Sequence, residues 1–225
     1  MGKLMDRLYD NIDEAKAFVL SFTNFAYDYD DQNLDDFYVI TCEECGKRRQ
    51  YRDYLFPKSS FKKPTSILSY CDFGVSCELH DELIEKFDIT EDDFRPIYTK
   101  KGELVYYQIT PQNVMEPIYE ENDWYVTSVC PQCGAVQYGY DRPYKWHCNE
   151  KKEPFAFISQ NALDNMHDLN ISYERFLRYS ANYVISRRLY DFLTERYPRT
   201  HYFPFFLKQE MEDWIAAKNK DCSPF

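Results

Sequence analysis

The sequence predicts an α+β fold built around two short cysteine segments that close on each other, with a strand–helix–strand unit at the C-terminal end. Three observations lead there. The segments Cys42-Glu43-Glu44-Cys45-Gly46 and Cys130-Pro131-Gln132-Cys133-Gly134 repeat one pattern, Cys-x-x-Cys-Gly. Each follows a short apolar run, Phe37 to Ile40 in the first case and Trp124 to Val129 in the second. The last third alternates β-branched runs with helical spacing around Tyr183 to Phe203.

The chemistry of the two knuckles is specific. Thiolates three positions apart on a tight turn point at one ion, and a following glycine frees the backbone for positive φ. Two knuckles supply four thiolates, the full tetrahedral shell of a structural zinc. The expected ligands are therefore Cys42, Cys45, Cys130 and Cys133, with the long stretch between Cys45 and Cys130 as an insertion in a zinc ribbon. Eight cysteines also permit a second arrangement. In it Cys42, Cys45, Cys71 and Cys77 hold one ion, and Cys130, Cys133, His147 and Cys148 hold another. The shared site is preferred, because both strong knuckles end in glycine and both follow a strand. The spacing from Cys71 to Cys77 is wide, and neighbours such as His147 and Cys148 point to opposite sides of an extended chain. A redox dithiol needs its first thiol at a helix start, and here strands precede both pairs.

The elements follow in order. Leu8, Ile12, Ala15, Val19 and Phe22 recur at helical spacing, so residues 6–26 read as an amphipathic helix. Asp28, Asp30, Asp31, Asp35 and Asp36 then form an acidic loop. Pro57, Ser59, Ser60 and Pro64 mark another loop over 57–70. Ser76 caps a helix through Leu79, Leu83 and Phe87, and Thr90 with Asp93 makes a capping-box start. Leu104 to Ile109 is a strand stopped by Pro111, and Ala135 to Tyr138 is the return strand after the second knuckle. Residues 162–167 and 172–179 read as short helices, with Asp164 and His167 as a surface ion pair. Ser186 caps a helix through Leu189 and Leu193. Pro204 confines the strand at His201 to Phe203 to an edge or an end. The chain carries no tandem repeat in sequence. The segments group as 1–36, an N-terminal helical segment; 37–158, the ribbon-containing α+β domain; and 159–225, a C-terminal α+β segment packed on it.

Composition bounds the function. The 225 residues carry a net charge of −11, which repels phosphate and argues against nucleic acid as a partner. Such a field suits a basic protein partner. Tyr and Phe are abundant, 21 and 17, and tyrosine serves both core edges and binding faces. No run of about 18 apolar residues exists, so no membrane span is expected. The first residues lack a secretory pattern, and the expected compartment is the cytoplasm, where paired cysteines favour metal. There is no His-Glu-x-x-His, no Gly-x-Ser-x-Gly and no phosphate-binding glycine loop, and the chain is read as not being an enzyme.

The order of features resembles the double-CXXCG-motif immunity proteins of bacterial polymorphic-toxin systems. The matching features are the first knuckle at Cys42 to Gly46, the acidic segment Glu78 to Phe94 and the strand Leu104 to Ile109. The second knuckle at Cys130 to Gly134 and the tail from Tyr183 to Pro204 complete the order. The resemblance implies an antitoxin that binds one cognate protein toxin, a nuclease being one candidate, and it implies that both knuckles serve one scaffold. Contact residues for such a toxin are sought among the acidic stretches: Asp28, Asp30, Asp31, Asp35, Asp36, Glu91, Asp92, Asp93, Glu120 and Glu121. The alternative is a zinc-ribbon nucleic-acid-binding or transcription-related protein, with arginines of the tail meeting phosphate.

Overall fold

A computed structural model describes residues 12–20, 38–45, 47–51, 67–70, 72–98, 101–116, 118, 124–140, 156–173, 181–198, 200, 202–207 and 210. The strands in chain order are β1 (Ala17–Leu20), β2 (Tyr38–Cys42), β3 (Lys47–Tyr51), β4 (Ile67–Tyr70), β5 (Asp72–Ser76), β6 (Phe94–Tyr98) and β7 (Leu104–Ile109). They continue with β8 (Trp124–Val129), β9 (Val136–Tyr140), β10 (Ala156–Ile158), β11 (Leu169–Ile171), β12 (Tyr183–Ser186) and β13 (Tyr202–Leu207). The helices whose bounds fall among the described residues are α1 (Cys77–Lys86), α2 (Gln160–Asp164) and α3 (Arg187–Arg196). The fold is mixed α+β, with sheets dominant.

Two larger sheets carry the cores. One has the order β4-β5-β7-β6 and is antiparallel throughout. The other has the order β10-β13-β1-β12-β11 and is antiparallel except where β10 runs parallel to β13. Its strands come from all three sequence segments: β1 from 1–36, β10 from 37–158 and the rest from 159–225. Two separate hairpins, β2-β3 and β8-β9, hold the knuckles at their turns.

The N-terminal helix is not formed where it is described. Ile12–Glu14 is a single 3-10 turn, and Ala17–Leu20 is the central strand β1. Phe18 and Leu20 join one buried cluster, and Ala17 and Val19 join another on the opposite face. A strand covered on both faces is apolar at every position, so its run mimics part of a helix stripe. Leu8 and Phe22 lie outside the described residues. Pro204 likewise sits inside β13, which is paired on both sides. The missing N–H is tolerated because pairing with β10 begins one residue later, at Phe205.

The helix starts at Ser76 and Ser186 were legible, whereas the helix expected over 162–167 runs Gln160–Asp164 from a cap at Ser159 that the sequence reading passed over. Ser76, Ser159 and Ser186 each accept the N–H of the third residue of the following helix, at Leu79, Ala162 and Leu189. Each cap satisfies one orphan donor. α1 and α3 then stop at Phe87 and Tyr197, whose N–H groups still bond Leu83 and Leu193.

The sheets reveal a repeat whose trace in the sequence is the match of Ser76, Leu79, Asp81, Leu83 and Glu85 with Ser186, Leu189, Asp191, Leu193 and Glu195. β5-α1-β6 and β12-α3-β13 are both strand–helix–strand units whose two parallel strands flank one antiparallel strand, β7 in the first and β1 in the second. The registers agree: Tyr107 lies opposite Val75 and Pro96, and Phe18 lies opposite Ile185 and Pro204. An outer hairpin partner, β4 or β11, completes each unit. The rings agree as well. His80 stacks on Tyr107 at 3.6 Å and meets Phe94 edge-on at 4.6 Å. Tyr190 stacks on Phe18 at 3.5 Å and meets Tyr202 edge-on at 5.1 Å. The central strand follows its unit in the first case and comes from the distant N-terminal end in the second. That permuted order places the central strand outside the repeated strand–helix–strand segment on opposite sides in the two units.

The two units pack helix to helix. Arg196 pairs with Glu82, and Lys86 lies 5.2 Å from the centre of the Phe192 ring. Glu82 and Phe192 are equivalent positions, as are Lys86 and Arg196, so one contact is the approximate two-fold image of the other. Phe87 meets Phe192 edge-on at 5.0 Å between them. The shared cluster beneath includes Leu79, Leu83, Phe94, Leu189, Tyr190 and Phe206. Aromatic burial on this scale dominates such a core.

Candidate metal centre

Each knuckle sits where a hairpin reverses. β2 ends at Cys42 and β3 begins at Lys47. β8 ends at Val129, and β9 begins at Val136. In the second turn the Gly134 N–H donates to the Cys130 carbonyl at 2.9 Å, and the Cys130 N–H donates to the Ala135 carbonyl at 2.9 Å. Gly134 has φ +68°, the conformation the motif demands of it. Gly46 lies outside the described residues.

The two turns meet at their sulfurs. Cys42 Sγ lies 3.7 Å from Cys130 Sγ, and Cys45 Sγ lies 3.7 Å from Cys133 Sγ. All four sulfurs fall within 4.8 Å of one another. A tetrahedron with metal–sulfur bonds of about 2.3 Å has sulfur–sulfur edges of about 3.8 Å. The four thiols therefore fit a single tetrahedral ion and can hold one. They close its shell, so no position is left for water or substrate. Among the described residues no other group of histidines, cysteines and carboxylates clusters this way.

The site is electrically prepared on one side. The Cys130 thiol is lowered to about 7, first by the N–H of Cys133 and then by the N–H of Gln132 and the neighbouring thiols, against the opposing effect of burial. Thiolate, the form that binds metal, is thus accessible near neutral pH. Cys42 and Cys130 are buried with Ala135 in a small cluster of their own, whereas Cys45 is half-buried and Cys133 exposed. Gln132, which the sequence reading passed over, places its amide oxygen 3.5 Å from Cys42 Sγ. Its place between two ligands of the opposite knuckle was the only signal for it.

The remaining expected residues separate. Cys77 begins α1, away from the four-sulfur cluster, and Cys71, His147 and Cys148 lie outside the described residues. Glu91 and Asp92 are exposed, and Glu91 faces His80 Nε2 at 3.2 Å. Asp93 does not belong to an acidic surface. Its buried carboxylate accepts the Thr90 N–H at 2.9 Å and the Gln112 N–H at 2.8 Å. The capping box read from Thr90 is what turns it inward. Asp28, Asp30, Asp31, Asp35, Asp36, Glu120 and Glu121 lie outside the described residues. His167 pairs with Asp88 at 2.6 Å, not with Asp164, whose carboxylate takes the Gln160 amide at 2.7 Å.

Among the described residues no helix is long and apolar enough to cross a membrane. Comparison of the chain with protein-family models, with curated proteins and with solved structures finds no match. Fold and site together define an α+β protein with a closed four-cysteine centre joining two hairpins.

Proposed function

We propose that the chain is an antitoxin of the immunity-protein type, whose structural zinc, held by Cys42, Cys45, Cys130 and Cys133 as a zinc ribbon, organises a surface that occludes a cognate protein toxin in the cytoplasm. The observation that carries the reading is the convergence of two Cys-x-x-Cys-Gly turns, 88 positions apart, on one tetrahedral set of sulfurs. A shell closed by four thiolates organises structure and offers no site for catalysis. The resemblance to double-CXXCG immunity proteins rests on the same two turns. The net charge of −11 favours a toxin with a basic cleft, such as a nuclease.

The nucleic-acid alternative loses support from three of the tail arginines it relied on, while Arg175, Arg178 and Arg199 lie outside the described residues. Arg187 pairs with Asp191 and Asp13, Arg188 with Asp168, and Arg196 with Glu82. Those guanidinium groups are engaged within the protein and are poor phosphate ligands. The test is a binding measurement between the purified protein and the toxin encoded beside its gene. The reading expects nanomolar or tighter affinity, and a dissociation constant no tighter than micromolar would overturn it.

A further inference from the structure

The four sulfurs are not equally protected. Cys42 and Cys130 are 4% and 2% exposed, whereas Cys133 is open to solvent and Cys45 half-open. The two accessible sulfurs belong to opposite knuckles, yet they lie 3.7 Å apart. A small oxidant therefore reaches one sulfur of this pair with the second already beside it.

We propose that Cys45 and Cys133 form an oxidation site, at which hydrogen peroxide joins the two sulfurs and expels the metal. The proposal rests on the zinc reading above and deepens it by assigning a regulation to that site. The Cys133 thiolate attacks one peroxide oxygen. The oxygen–oxygen bond breaks, hydroxide leaves, and the sulfur becomes a sulfenic acid. The Cys45 thiolate then attacks that sulfur, the sulfur–oxygen bond breaks, and a second hydroxide leaves. Both hydroxides take protons to become water. The two sulfurs lose two electrons in all, and one peroxide gains them.

Metal release follows from geometry. A disulfide brings its sulfurs to about 2.0 Å, which cannot span the tetrahedral edge of about 3.8 Å, and it removes two anionic ligands. The buried Cys42 and Cys130 remain, and two thiolates do not complete a zinc shell. The same hairpins share no buried apolar cluster with the large sheets among the described residues. Without the metal, the small buried cluster of Cys42, Cys130 and Ala135 is the contact between the hairpins that remains among the described residues.

The experiment uses the zinc-loaded full chain. Zinc is quantified first, then peroxide is added while a chelating dye reports free zinc, and non-reducing peptide mapping locates the disulfide. One zinc released per chain, with Cys45–Cys133 as the first disulfide, and recovery on dithiothreitol plus zinc, is the expected result. Cys133→His keeps a four-ligand shell without the second accessible sulfur, and should release zinc at least tenfold more slowly. Zinc retained under peroxide, or zinc lost with the first bond inside one knuckle, overturns the proposal while leaving the zinc reading intact. A protein that carries no zinc before peroxide is added overturns the zinc reading, and this site with it.

Discussion

The sulfurs of Cys42 and Cys130 stand 3.7 Å apart across 88 positions of chain, and both are buried in a cluster that holds little besides the other knuckle residues. The two large sheets share one core, and the five-stranded sheet has a second on its other face. A metal here therefore fastens hairpin to hairpin, and its loss should be felt locally. A metal held at 100 times its dissociation constant contributes about 2.7 kcal/mol, a factor of about 100 in an opening equilibrium. Chelation should lower the hydrogen-exchange protection of the Cys130 and Gly134 amides by about that factor. Amides of β1 and β12 should be unchanged. Equal loss in both regions would mean the metal supports the whole fold.

Gly134 offers a finer test. Its φ of +68° lies in the left-handed region, and a Cβ built there meets nothing within 4 Å. Gly134→Ala should therefore act only through backbone strain, on the order of 1 kcal/mol. That corresponds to about fivefold weaker metal binding, measurable by competition with a chelator. An unchanged affinity would show that the turn does not need this conformation to present Cys133.

Asp168 should govern acid stability. Its carboxylate is buried, which alone would raise its pKa, yet hydrogen bonds from Arg188 and Ser186 and from the Asp88 N–H at 2.8 Å outweigh burial and lower it. A carboxyl depressed in the folded state stabilises fully above its unfolded pKa of about 3.9. That contribution fades as pH falls from there through the lower folded value. Asp168→Asn should cost about 2 kcal/mol at neutral pH and should flatten the stability loss between about pH 5 and pH 2. Urea unfolding across that range checks both.

Phe18 and Tyr190 test the second repeat unit. Their rings stack at 3.5 Å, and both residues are fully buried. Phe18→Ala should cost about 3–5 kcal/mol by emptying the centre of the five-stranded sheet. The double variant with Tyr190→Ala should cost less than the sum of the singles, because they share one contact. Additive losses would argue against the stacked pair.

Local chemistry was readable in the chain wherever one residue type decides the outcome. Ser76 and Ser186 announced their helices, the strands Leu104–Ile109 and Trp124–Val129 were bounded by turn residues, and the knuckles announced the metal centre. What failed was context. Ala17–Leu20 is apolar at every position because both faces are covered, and only its neighbours distinguish strand from helix. Pro204 enters an inner strand because a partner begins one residue late, which no local rule encodes. The set of four cysteines is legible as two spacings, but which sulfurs lie side by side and how unequally they are exposed are not. The match of Ser76 to Phe87 with Ser186 to Tyr197 lies in the sequence, but the permuted central strand needs the sheet order to be seen.

Intact-mass measurement under non-denaturing conditions tests the shared four-sulfur centre most directly. One zinc ion per chain is predicted, and Cys42→Ser or Cys130→Ser should abolish it. Two ions per chain, or a full zinc complement retained by either variant, would contradict the account.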